Sequence, residues 1–167
     1  MNKKEKKTPL SAGLCTLLSS LIVIIAVFLD QYTKLLAAAY LKGKEAVSLI
    51  PGILELKYLY PENRGIAFGM FQGSTAFFAV VSMILFALII WIFLKIPKNR
   101  YYIPLMAVCV LMLSGALGNM IDRVFRGYVI DFIYFSLIDF PVFNMADIYV
   151  VCGGIFLVIF VLFKYKK

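Results

Sequence analysis

The sequence predicts an integral membrane protein, mainly α, in which four transmembrane helices carry a small β layer on the extracytoplasmic face. Three observations carry that reading. Of the 167 residues 63% are hydrophobic, with a mean hydropathy of +0.93, whereas a soluble domain runs nearer half apolar. Four runs are long enough to cross about 30 Å of hydrocarbon, which takes ~20 helical residues. The charges lie almost wholly between those runs. A chain of this length is expected to form a single membrane-embedded domain over residues 1–167, without a separate soluble unit.

The first run, Leu10–Leu29, follows a lysine-rich start (Lys3, Lys4, Lys6, Lys7). A secretory leader begins in the same way, but no small-residue cleavage site follows Leu29 directly. The chain continues Asp30-Gln31-Tyr32-Thr33-Lys34, and Ala37-Ala38-Ala39 comes too late, so a retained span is expected. The second and third runs, Ser74–Leu94 and Tyr101–Ile121, carry no charge. The fourth, Phe140–Phe163, is interrupted by Asp147 alone.

Orientation follows from the basic residues. The start, the loop between spans two and three, and the end share one side, with ten bases against one acid, Glu5. The other side has seven bases and eight acids. The basic-side rule puts both termini in the cytoplasm and turns the loops 30–73 and 122–139 outward. The net charge of +8 is explained by this arrangement, and no nucleic-acid partner is expected. In the outer loops Leu54, Leu56, Tyr58 and Tyr60 follow a period of two, as does the run Tyr128 to Phe135 after the turn-forming Gly127. Both read as half-buried strands of a layer on the outer membrane surface.

Histidine is absent, which removes Ser-His-Asp and Cys-His catalysis and the common His-based zinc sites. Cys15, Cys109 and Cys152 lie in apolar runs without a CxxC pair and read as small hydrophobes, with no disulfide, metal or cofactor expected. Polar groups at membrane depth are costly, ~2.5–3.5 kcal/mol for a central Asp, so those present are functional candidates. They gather at the outward ends of the spans: Asp30 and Lys34 after span one, Asn119, Asp122 and Arg123 on span three, and Asn144 and Asp147 at the start of span four. A helix ending at Phe163 sets Asp147 about 24 Å from that end, hence ~6 Å below the outer surface.

Asp131, on the adjacent strand-like loop, can fold back to meet Asp147. Two close carboxylates cannot both ionise cheaply, so one keeps a proton while the other activates water. The alternative is structural: Asp147 bonds Asn144 or pairs with Arg123. Two further readings stand beside these, a Ser–Lys hydrolase using Ser114 and Lys34, and a small ion transporter. Against the transporter, the spans below Asn119 and Asp147 carry no charge. Arg123 and Arg126 serve as interface anchors or meet lipid phosphate. Ser114, Gly115 and Gly118, with Gly153 and Gly154 opposite, read as helix-packing surfaces, and Asn63 to Gly69 as a turn into span two.

The blocks Asn63-x-Gly65-x-Ala67-Phe68, Gly115-Ala116-Leu117-Gly118-Asn119-x-x-Asp122-Arg123, Val129-Ile130-Asp131-Phe132 and Phe143-Asn144-x-Ala146-Asp147 resemble, in order, those of the lipoprotein signal peptidases. Asp30 with Lys34 is similar to that family's first-span motif. Ser114 departs from the family's usual glycine but keeps a small side chain. The resemblance implies an extracytoplasmic β cradle, an outer-surface helix and an aspartic endopeptidase of the bacterial cytoplasmic membrane, active near its outer face. Its substrates are diacylglyceryl-modified prolipoproteins, cut before the lipidated cysteine, and its other partners are membrane lipid and globomycin-type inhibitors. By motif match Asp131 and Asp147 are the catalytic dyad. Asn63, Gly118, Asn119, Arg123, Asn144 and Ala146 then shape the substrate pocket, with Asp30, Lys34, Gly65 and Asp122 supporting it.

Overall fold

The computed structural model of the chain describes residues 9–65 and 75–163. Four helices, α1 (Ala12–Tyr40), α2 (Thr75–Lys95), α3 (Ile103–Phe125) and α4 (Met145–Phe163), account for most of it. Each is long and apolar enough to cross a membrane. Ser11 caps α1 by accepting the Leu14 N–H at 3.3 Å. Asn99 accepts the Tyr101 N–H at 3.0 Å, starting a 3₁₀ turn (Arg100–Tyr102) that feeds α3, where a proline occupies the first helical turn.

The central helix is α3, which packs on all three others. Between lipid-facing helices the hydrophobic effect offers little attraction, so close approach through small residues does the work. A Cβ on Gly115 would strike the Ala146 carbonyl oxygen, and one on Gly153 would lie 2.8 Å from Met112 Cγ. Gly154, expected on the same packing surface, has nothing within 4 Å of such a Cβ and faces open space. Ser114 is fully buried on α3, as a packing position should be, and its hydroxyl donates to the Val110 carbonyl at 2.8 Å within its own helix.

At one end of the bundle the Leu10 N–H donates to the Lys98 carbonyl at 2.9 Å, tying the approach to α1 to the α2–α3 loop. Phe93, Ile96, Met106 and Cys109 form the core there. At the other end lies a three-stranded antiparallel sheet in the order β1 (Val47–Ile50), β2 (Leu54–Leu56), β3 (Ile133–Phe135). Val47 faces Leu56, which faces Ile133, and Leu54 faces Phe135. One sheet face is therefore apolar, and at its α1 side it packs on Ala37, Leu41, Tyr58, Ile130 and Phe132.

Several boundaries differ from expectation. Helix α1 continues eleven residues beyond Leu29 because Asp30, Lys34 and Ala37 turn one buried face inward while hydropathy alone falls. Helix α4 starts at Met145, since Phe143 exchanges backbone hydrogen bonds with Ile133 in extended form. The two expected strands are shorter, 54–56 and 133–135. Beyond them the pairing is irregular, with Lys57 N–H to the Phe132 carbonyl and Leu59 N–H to the Asp131 carbonyl. The strand β1 was not expected. Between the end of α1 and residue 65 no helix stands among the described residues. Ala67, Phe68, Ser74 and the lysines of both termini lie outside the described residues.

Candidate active site

The Tyr40 end of α1, the Phe125 end of α3 and the Met145 end of α4 meet in a fully buried ion cluster. Lys34 and Asp30 share one face of α1 at i, i+4, and Lys34 Nζ lies 2.9 Å from Asp30 Oδ2. The same ammonium lies 2.9 Å from Asp122 Oδ2 of α3 and donates to Asn119 Oδ1, also at 2.9 Å. All three ammonium donors thus have acceptors, the condition under which a buried charge is tolerated. Asp30 Oδ1 accepts the Ala146 N–H at the start of α4 at 2.9 Å, where the helix dipole favours negative charge. Gly118 makes this contact possible, because a Cβ there would sit 2.6 Å from Asp30 Oδ2.

The two candidate catalytic carboxylates stand in front of this cluster. Asn144, just before α4, joins them. Its Nδ2 donates to Asp131 Oδ1 at 2.6 Å, its Oδ1 accepts the Asp147 N–H at 3.1 Å, and its own N–H donates to Asp147 Oδ2 at 3.1 Å. The last two bonds form a reciprocal capping box with Asn144 as cap. The other Asp147 oxygen accepts Asn119 Nδ2 at 2.8 Å, and the other Asp131 oxygen accepts Asn63 Nδ2 at 2.9 Å. Asn63 is held by the Gly65 N–H, which donates to its Oδ1 at 3.1 Å, and by its carbonyl, which accepts the Val129 N–H.

Asp131 is 3% exposed. Burial, and then the negative charge of Asp147, push its carboxyl up to about 7, against the opposing bonds from Asn63 and Asn144. A carboxyl near neutrality beside a second carboxylate can hold or release a proton at working pH. Both open into a cavity of about 270 Å³ lined also by Asn63, Asn119, Arg123 and the apolar side chains of Val129, Phe140 and Val151. Water and a peptide carbonyl fit such a space.

The structure brings together every expected site residue. Asn63, Asn119, Arg123, Asp131 and Asp147 line the cavity. Asn144, Ala146, Gly118, Asp30, Lys34, Gly65 and Asp122 stand behind it, all buried. Asp147 bonds Asn144, as the structural alternative holds, yet remains on the cavity wall, so the two readings coexist. Ser114 and Lys34 do not meet: the hydroxyl is spent on Val110 and the ammonium on Asp30, Asp122 and Asn119. Two residues were missed. Arg126 turns inward, its Nη1 donating to Gln31 Oε1 at 2.8 Å and pairing closely with Asp122. The i, i+4 spacing of Asp122 and Arg126 was a legible signal for that pair; nothing marked Gln31.

The family model for signal peptidase (SPase) II matches residues 22–163. The lipoprotein signal peptidase of Caldanaerobacter subterraneus is 45% identical over 144 residues, 86% of this chain and 94% of that protein. That of Clostridium novyi is 42% identical over 147 residues, 85% and 95% of the two chains. A bacterial membrane enzyme solved by the in meso method at 2.3 Å resolution superimposes with a TM-score of 0.78 at 34% identity, covering 89% of this chain and 91% of its own. Fold, site and relatives together define an aspartic-type peptidase embedded in a bacterial membrane. The chain belongs to the signal peptidase II family, the lipoprotein signal peptidases.

Proposed function

We propose that Asp131 and Asp147 are the catalytic dyad and that the chain removes signal peptides from diacylglyceryl-modified prolipoproteins, cutting before the lipidated cysteine. The observation that carries this reading is the single Asn144 side chain that bonds Asp131 while capping Asp147, beside an open cavity. Water held between the carboxylates gives a proton to the ionised one and attacks the scissile carbonyl. The protonated partner then gives its proton to the departing amine as the C–N bond breaks. The amides of Asn63 and Asn119 and the Arg123 guanidinium stand at the cavity wall, where developing negative charge needs donors.

The apolar side of the cavity, Val129, Phe140 and Val151, suits a signal helix arriving through the bilayer with the acyl chains left in lipid. Globomycin-type inhibitors would compete for this space. The excess of lysine at the opposite end supports cytoplasmic termini and a site at the outer face. The test is cleavage of a diacylglyceryl-modified prolipoprotein by the purified chain and by Asp131→Asn and Asp147→Asn. Wild type should cut and both variants should be inactive yet folded; full activity in either variant ends the assignment.

A further inference from the structure

Behind the dyad the buried cluster contains two carboxylates, Asp30 and Asp122, but only one ammonium, Lys34. The second positive charge comes from Arg126, one turn past Asp122 at the end of α3, whose side chain is 23% exposed. Arg126 is held there by Gln31. The Gln31 carbonyl oxygen accepts Arg126 Nη1 at 2.8 Å, while its Nε2 reaches Asp30 Oδ2 at 3.1 Å, the Gly118 carbonyl at 3.1 Å and Asp122 Oδ1 at 3.2 Å. One glutamine thus clamps the arginine to both carboxylates that share Lys34.

From this cluster a continuous path leads to the reacting groups. Lys34 donates to Asn119 Oδ1, which turns the Asn119 amide so that its Nδ2 points at Asp147 Oδ1. Asn144 Nδ2 bonds the same Asn119 oxygen at 3.1 Å and Asp131 at 2.6 Å. We propose that Arg126 is a positioning residue for catalysis. By completing an electroneutral cluster of two acids and two bases, it keeps net negative charge away from the dyad's back and so sets the pH range in which Asp131 and Asp147 share one proton. Without Arg126, Lys34 alone pairs with both carboxylates, and a net negative charge stays buried at the dyad's back.

The sign of the effect follows. An added negative charge disfavours ionisation of nearby carboxyls, so both the rising and the falling limb of the pH–rate profile move to higher pH. Other charges facing the dyad are Lys34 and Asp30 from α1, and Asp122 and Arg123 from α3. Tyr149 of α4 faces Asp30. The described part of α2 has only Lys95, in its last turn at the opposite end. Arg64 of the outer loop lies over the Tyr128 ring. Arg123 feels the charge of Asp122 at longer range, whereas Arg126 is the cation that pairs with it directly beside Lys34.

The inference rests on the proposed dyad, and the test separates the two. Cleavage of a diacylglyceryl-modified prolipoprotein is followed across pH 5–9 for the purified full chain and for Arg126→Gln, Arg126→Lys, Gln31→Glu and Asp131→Asn. Arg126→Gln and Gln31→Glu should move both limbs upward by about half a unit or more, with activity at the new optimum within threefold of wild type. Arg126→Lys, which keeps the charge, should return the wild-type profile. A folded Arg126→Gln with an unmoved profile, a uniform loss at every pH, or a shift to lower pH overturns the inference. An active Asp131→Asn instead overturns the dyad beneath it.

Discussion

Asn144 and Asp147 cap each other: each backbone N–H donates to the other's side chain, both at 3.1 Å, while the free amide of Asn144 reaches Asp131 at 2.6 Å. One residue therefore starts α4, fixes one carboxylate and aligns the second. Asn144→Ala should cost about 1–2 kcal/mol of stability and lower kcat on the order of 100-fold or more. Asn144→Ser, whose shorter hydroxyl keeps the cap oxygen but does not extend to Asp131 as the amide Nδ2 does, should recover most of the stability and little of the rate. Thermal melting beside single-turnover cleavage reads the two effects separately.

Asp131 ties the proposed dyad to stability with a definite sign. Its folded pKa, about 7, stands above the ordinary carboxyl value. Stability associated with this group is fully present below the unfolded pKa and is lost as pH rises through 7. Asp131→Asn removes that loss. The variant should melt above wild type at pH 8, and the gap should close towards pH 4. Equal melting temperatures at pH 8 would show that the carboxyl is not perturbed by burial.

Gly118 and Gly154 should respond oppositely to the same change. Gly118→Ala drives a methyl into Asp30 Oδ2 at 2.6 Å and Ala146 Cβ at 3.1 Å, so the α1–α4 contact must open and activity should fall more than tenfold. Gly154→Ala meets nothing within 4 Å and should leave cleavage and melting unchanged. A comparison of the two variants in the same detergent is sufficient.

Ser114→Ala should retain activity, because the hydroxyl bonds only the Val110 carbonyl four residues back. Lys34→Met leaves Asp30 and Asp122 buried without their shared cation, and should reduce folded yield as well as cleavage. An inactive, well-folded Ser114→Ala would revive a serine nucleophile.

The spans were legible because apolar runs of about 20 residues have one physical use in a chain this hydrophobic. Their ends were not, since hydropathy falls at Asp30 although the helix runs on to Tyr40 with its polar side chains turned inward. The strand β1 was hidden for another reason. Val47-Ser48-Leu49-Ile50 is exposed throughout and its register slips between Ser48 and Ile50, so no period of two survives. Among site residues, Asp131 and Asp147 stood out as acids near membrane depth. The bridging geometry of Asn144 did not, because it depends on Asp131 arriving from a different segment. Arg126 looked like a surface anchor, for a terminal arginine in sequence does not reveal which way it turns.

Asp30 and Lys34 are fully buried among groups that the ribosome delivers much later, Asn119 lying 85 residues beyond Lys34 and Ala146 lying 116 beyond Asp30. While those segments are still being made, α1 has only its own i, i+4 pair to neutralise its charges in or near lipid. Helix α4 carries both the Ala146 N–H that meets Asp30 and the Asp147 carboxylate that meets Asn119. A half-made copy thus lacks the Asp131–Asn144–Asp147 bridge, and the proposed dyad is complete only once α4 is in place.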